Sequence, residues 1–133
     1  MTPELWLLAV SVLLGFVHII LQAHSMNLQR GMRWNAGPRD EPVPPLTGVA
    51  GRLARALRNF LETFPLFAAG VLIAHVANVH NGLTLWGAWL YVAGRVAYIP
   101  LYAFGVTYVR SLAWNVAAVG IVLILAGVVY ARG

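Results

Sequence analysis

The stretch Arg52-Leu53-Ala54-Arg55-Ala56-Leu57-Arg58-Asn59-Phe60-Leu61-Glu62-Thr63 gathers charge into a chain that is otherwise apolar. At about 100° per residue, positions 52, 55, 58, 59 and 62 fall within one third of a helix circumference, so they form one polar face. A second stripe, Tyr91, Arg95, Tyr98 and Tyr102, follows the spacing i, i+4, i+7, i+11 and shares one helical face in the same way. Arg110 and Ser111 come next, across a short connection. If these elements pack together, Arg52, Arg55, Arg58, Arg95 and Arg110 meet a single nearby acid, Glu62. A charge at membrane depth costs at least about 2.5–3.5 kcal/mol on insertion scales, and one carboxylate does not offset five guanidiniums. The arginines nearest the interface can snorkel to water or lipid phosphate, but Arg58 and Arg95 lie deeper, so a bound anion is the expected counterweight. Planar guanidinium groups fit a carboxylate two hydrogen bonds at a time.

The same residues admit plainer roles. Arg52 and Arg55 sit where lipid headgroups anchor a helix end. Arg58, Asn59 and Glu62 suit interhelical hydrogen bonding, and the tyrosines suit packing. His18, His24, His75 and His80 form no pair at i, i+3 or i+4, so no metal site is expected. Without cysteine the chain has neither a thiolate nucleophile nor a disulfide of its own.

The elements that must position these groups are transmembrane helices. The chain has 133 residues, 60% hydrophobic and 10% charged, against about 45–50% and about 25% in soluble domains. A chain this short cannot bury so much apolar surface in water. All nine basic residues are arginine, and several interrupt apolar runs, which argues for membrane and buried anions and against nucleic acid. Runs of about 20 apolar residues predict spans over 5–28, 51–79, 84–104 and 108–130, an all-α integral membrane bundle forming one four-helix domain over 1–133. Thr2-Pro3-Glu4 supplies a cap, a first-turn proline and an acid at the positive end of the helix dipole, and the apolar run after it lacks a cleavage signal, so it reads as a retained helix. The long connection 29–50, rich in proline and glycine, reads as an irregular surface loop. Arg30, Arg33, Arg39 and Arg52 flank this first loop and Arg110 the third, which predicts a multi-pass protein with loops 1 and 3 cytoplasmic and both termini on the opposite side.

Arg55-Ala56-Leu57-Arg58-Asn59-Phe60-Leu61-Glu62-Thr63 with Pro65 resembles the second-helix signature of the membrane-associated proteins in eicosanoid and glutathione metabolism, the MAPEG family. Gly94-Arg95-Val96-Ala97-Tyr98, then Tyr102, then Arg110-Ser111 resembles the signature of its third and fourth helices. The three pieces occur in order and point to a bacterial-type member resembling the microsomal prostaglandin E synthase and microsomal glutathione transferase branches. The resemblance implies a homotrimer of four-helix subunits, with glutathione as co-substrate bound between neighbours near the cytoplasmic face. By position it implies Arg58, Asn59, Glu62, Arg95, Tyr98 and Tyr102 as glutathione-binding residues, with Arg110 and Ser111 as the catalytic pair. Glutathione would bring carboxylates for arginine, an ammonium for Glu62 and a thiol whose charged form Arg110 and Ser111 favour.

Tyr98 stands where the prostaglandin synthases have histidine and Trp114 where they have tyrosine, and Asp40 is the only counterpart of their loop aspartate. Prostaglandin synthesis is therefore not implied. The expected function is a glutathione-dependent membrane transferase or peroxidase acting on lipophilic electrophiles. The alternative is a non-catalytic membrane protein that binds an anionic lipid or serves as a scaffold, since a fold alone does not decide activity. The expected partners are a second and third copy of the chain, membrane lipids and a lipophilic small molecule. No inverted repeat or pair of broken helices supports a transporter.

Overall fold

The computed structural model describes residues 1–132, and among these every regular element is helical. Helix α1 runs over Pro3–Arg30, α2 over Met32–Ala36, α3 over Gly48–Val76, α4 over Gly82–Ala103 and α5 over Val109–Arg132. Three of them, α1, α3 and α5, are long and apolar enough to cross a membrane. Helix α4 has sufficient length but carries Arg95, three tyrosines, two tryptophans and Pro100, and falls outside that group. Its polar content is the tyrosine–arginine stripe, so the helix that departs most from a plain span is the one bearing candidate site residues.

The ends follow local chemistry. The Thr2 side chain accepts from the Leu5 backbone N–H at 3.3 Å and Pro3 opens the first turn of α1. Gly31, at φ +88°, turns the chain between α1 and α2, a conformation that a side chain disfavours. The five-residue α2 corrects the expectation of a wholly irregular first loop: Trp34 anchors it, flanked by the guanidiniums of Arg30 and Arg39 at 4.8 and 5.6 Å. Helix α3 stops at Val76, three residues short of the expected limit, because Asn78 takes a left-handed φ of +57°. Asn81 and Thr84 form a reciprocal capping box that starts α4.

Packing is tightest between α4 and α5, where glycines let the backbones meet. A Cβ on Gly87 would lie 2.5 Å from the Gly120 carbonyl oxygen, and one on Gly94 would lie 2.8 Å from that of Ala113. Phe67 of α3 stacks on Tyr91 of α4 at 4.0 Å within a core that also holds Leu7, Val71, Ala88, Ala117 and Ile124. Helix α1 joins through His18, stacked on Phe60 at 4.8 Å. Its N-terminal Glu4, 5% exposed, accepts from the Thr84 hydroxyl at 2.8 Å and so ties α1 to the start of α4.

Only 28% of the apolar window of α1 and 33% of those of α3 and α5 are buried within the chain. Leu13, Phe16, Ile20, Leu66, Val122 and Val129 all stand outward, each well over half exposed. An apolar belt of this extent is unstable in water and suits lipid.

Candidate functional site

At the end of the bundle where α3 begins, α4 ends and α5 begins, Asn59, Tyr98, Tyr102, Arg110, Ser111, Trp114 and Asn115 line one depression of about 390 Å³. Helix geometry brings them together: Tyr98 and Tyr102 are one turn apart on α4, and Ser111, Trp114 and Asn115 share a face of α5. The Arg110 guanidinium lies 4.9 Å from the Tyr102 ring centroid. The Arg55 Nε donates to the Tyr102 hydroxyl at 3.1 Å, so Tyr102 is held by two cations. The Asn115 carboxamide donates to the Ser111 carbonyl at 2.9 Å, which leaves the Ser111 side chain exposed at the rim. Arg110 and Ser111 open α5, so the positive end of the helix dipole adds to the guanidinium charge there.

Arg95 sits beneath this depression and is fully buried, at 0% exposure. Its Nη1 donates to Asn59 Oδ1 at 2.7 Å, and its guanidinium carbon is 4.4 Å from the Tyr98 ring centroid and 5.5 Å from that of Phe60. Nothing among the described residues accepts from its Nε or Nη2. Tyr98, itself buried, packs with Ala56 and Ala113.

Arg58 and Glu62 are placed elsewhere. They are exposed and line a separate, open depression of about 490 Å³ with Gln22 of α1 and Ala54, Leu57 and Leu61 of α3. The one polar face of α3 therefore borders two depressions, with Arg58 and Glu62 turned toward α1 and Asn59 toward α4 and α5. The expectation that Arg58, Arg95 and Arg110 converge on one cavity is not met within a single chain. Arg110 reaches the first depression, Arg95 underlies it, and Arg58 belongs to the second.

The order and geometry of these polar positions, on helices with lipid-suited outer faces, agree with the match of the MAPEG family model to residues 7–130. The chain belongs to the MAPEG family. No individual curated protein matches it. As a MAPEG protein it is a membrane protein of the family that serves glutathione and eicosanoid metabolism.

Four further side chains of this MAPEG chain join the expected residues, three in the lining of the two depressions and Arg55 through its bond to Tyr102. Arg55, which reads as a lipid anchor at a helix end, instead binds the Tyr102 hydroxyl. Its place on the polar face with Arg58 and Asn59 is the signal the sequence carries. Trp114 and Asn115 are legible as neighbours of Ser111 at helical spacing. Gln22 comes from a helix whose polar positions follow no stripe, and only the packing of α1 on α3 reveals it. Arg52 has a structural role, since its Nε donates to the Ala103 carbonyl at 2.9 Å and closes the C-terminal end of α4.

Proposed function

We propose that this chain is a glutathione-dependent membrane transferase or peroxidase for lipophilic electrophiles. The observation that carries the reading is the meeting of Asn59, Tyr98, Tyr102, Arg110 and Ser111 from three helices in one depression. Arg110 offers a forked donor set to a carboxylate, and both Arg110 and Ser111 favour a thiolate over a thiol. A thiolate held there attacks an electrophilic carbon arriving from the lipid, forming the sulfur–carbon bond as the leaving group departs with the electron pair. Membrane placement supplies the second substrate, because an apolar electrophile concentrates in the bilayer that surrounds the helices.

Arg58, Glu62 and Gln22 complement the remaining end of glutathione. A carboxylate suits Arg58, and an ammonium suits Glu62. These residues line the depression beside α1, with Arg58 and Glu62 no more than about 100° around α3 from the Asn59 position that borders the Arg110 depression. The support for a homotrimer with glutathione between neighbours is membership of the MAPEG family, together with a polar face of α3 that a neighbouring copy would shield from lipid. The exposed apolar faces beside both depressions are available for such contacts.

The test is conjugation of glutathione to chlorodinitrobenzene by detergent-purified protein. Wild type turns over. Arg58→Ala and Glu62→Gln raise the glutathione concentration needed for half-maximal rate by roughly ten- to a hundredfold, the worth of one hydrogen bond to a charged group. Rates equal to the uncatalysed background at millimolar glutathione contradict the transferase reading. Retention of anionic phospholipid by such an inactive protein, lost on replacing the exposed Arg55 and Arg58, would favour the lipid-binding alternative.

A further inference from the structure

We propose that Arg95 is a positioning residue that fixes Asn59 as a hydrogen-bond donor toward the depression, so that the ligand group opposite Asn59 is an oxygen acceptor. A guanidinium donates and never accepts, so of the two ends of the Asn59 carboxamide only the oxygen can face it. The 2.7 Å contact from Nη1 to Oδ1 is that arrangement. It turns the Asn59 NH2 group away from Arg95, and no hydrogen bond among the described residues uses that group. Asn59 also lines the depression with Arg110 and Ser111. The corner is thereby furnished with donors and suits a carboxylate or a peptide carbonyl.

Arg95 does not reach the ligand itself, since none of its surface is exposed. A purely space-filling role would be better served by an apolar side chain, because burying a guanidinium with Nε and Nη2 unpartnered is unfavourable among membrane helices. What the arginine does is specific to its neighbours. It holds Asn59 by a charge-assisted hydrogen bond and lies against the Tyr98 ring at 4.4 Å, so one buried cation sets two adjacent lining residues.

The identity of the ligand rests on the glutathione reading above; the Arg95–Asn59 lock does not. The experiment is thermal melting with and without glutathione, plus calorimetric titration, of wild type, Asn59→Asp, Arg95→Met, Arg95→Lys and the Asn59→Asp/Arg95→Met double variant. Asn59→Asp keeps an oxygen on Arg95 but presents a second oxygen outward. It should melt at or above the wild-type temperature while glutathione affinity falls roughly ten- to a hundredfold. Arg95→Met frees the Asn59 carboxamide to rotate and should weaken binding several-fold, with Arg95→Lys recovering part of it. In the double variant the aspartate loses its cation, so melting should fall below both single variants. Unchanged glutathione affinity in Asn59→Asp overturns the proposal, as does an Asn59→Asp protein that melts well below wild type without ligand. If wild type binds no glutathione, the functional reading fails, and the ligand-free melts still decide whether Arg95 locks Asn59.

Discussion

Ser111 and Arg55 show how differently two exposed polar side chains enter the same site. Ser111 stands at the rim of the depression beside Arg110, and in the proposed reaction its hydroxyl would donate to the thiolate without contributing much to the grip on the rest of glutathione. Ser111→Ala should therefore leave the glutathione dissociation constant within about twofold and cut turnover by roughly ten- to a hundredfold, the worth of a hydrogen bond to a charged group. Calorimetry paired with the chlorodinitrobenzene assay separates the two effects. Arg55 acts through Tyr102, whose hydroxyl accepts from its Nε. Arg55→Ala should weaken glutathione binding by loosening that ring. Which residue types make the site was legible from spacing along single helices. Which of them face one another was not, because Arg58 and Asn59, neighbours on one polar face of α3, border different depressions.

The helices themselves obey simpler rules. Apolar runs and Thr2-Pro3 mark where α1 begins, Asn81 caps α4, and both caps form hydrogen bonds in the fold. The five-residue α2 carries no apolar period long enough to announce it; it is held by the contacts of Trp34 with two arginines and by the Arg39 side chain donating to Asn35. The contact that aligns the site is the glycine seam between α4 and α5, which sets Tyr98 and Tyr102 against Ser111 and Trp114. Glycine to alanine usually favours a helix by about 1 kcal/mol. At Gly120 the added Cβ would lie 2.5 Å from the Gly87 carbonyl oxygen and 2.7 Å from the Tyr91 nitrogen, both backbone atoms that cannot swing aside. Overpacking of this kind costs about 1–3 kcal/mol, so the clash exceeds the propensity gain. Gly120→Ala should lower the melting temperature, read by differential scanning fluorimetry in detergent. Alanine at Gly82, where nothing stands within 4 Å of a Cβ, provides the control and should not lower it.

In the whole molecule a lipid-suited exterior meets a polar end that is divided between two depressions. The family resemblance implies that a neighbouring copy completes the proposed site, so native mass spectrometry from mild detergent should give a trimer. A stable monomer in several detergents that also conjugates glutathione would separate activity from assembly. The arginine asymmetry favours a cytoplasmic site, with Arg30, Arg33, Arg39 and Arg52 around the first long connection. A periplasmic-type reporter fused to the C-terminus should be active and a cytoplasmic-type reporter silent. The sequence revealed the membrane class and the family; the separation of the polar residues into two depressions along α3 required the packed helices. The most direct test of the central claim is calorimetric titration of detergent-purified wild-type protein with glutathione. Saturable binding within the millimolar range, weakened roughly ten- to a hundredfold by Arg110→Ala, is the predicted result, whereas the absence of saturable binding by wild type at those concentrations would contradict it.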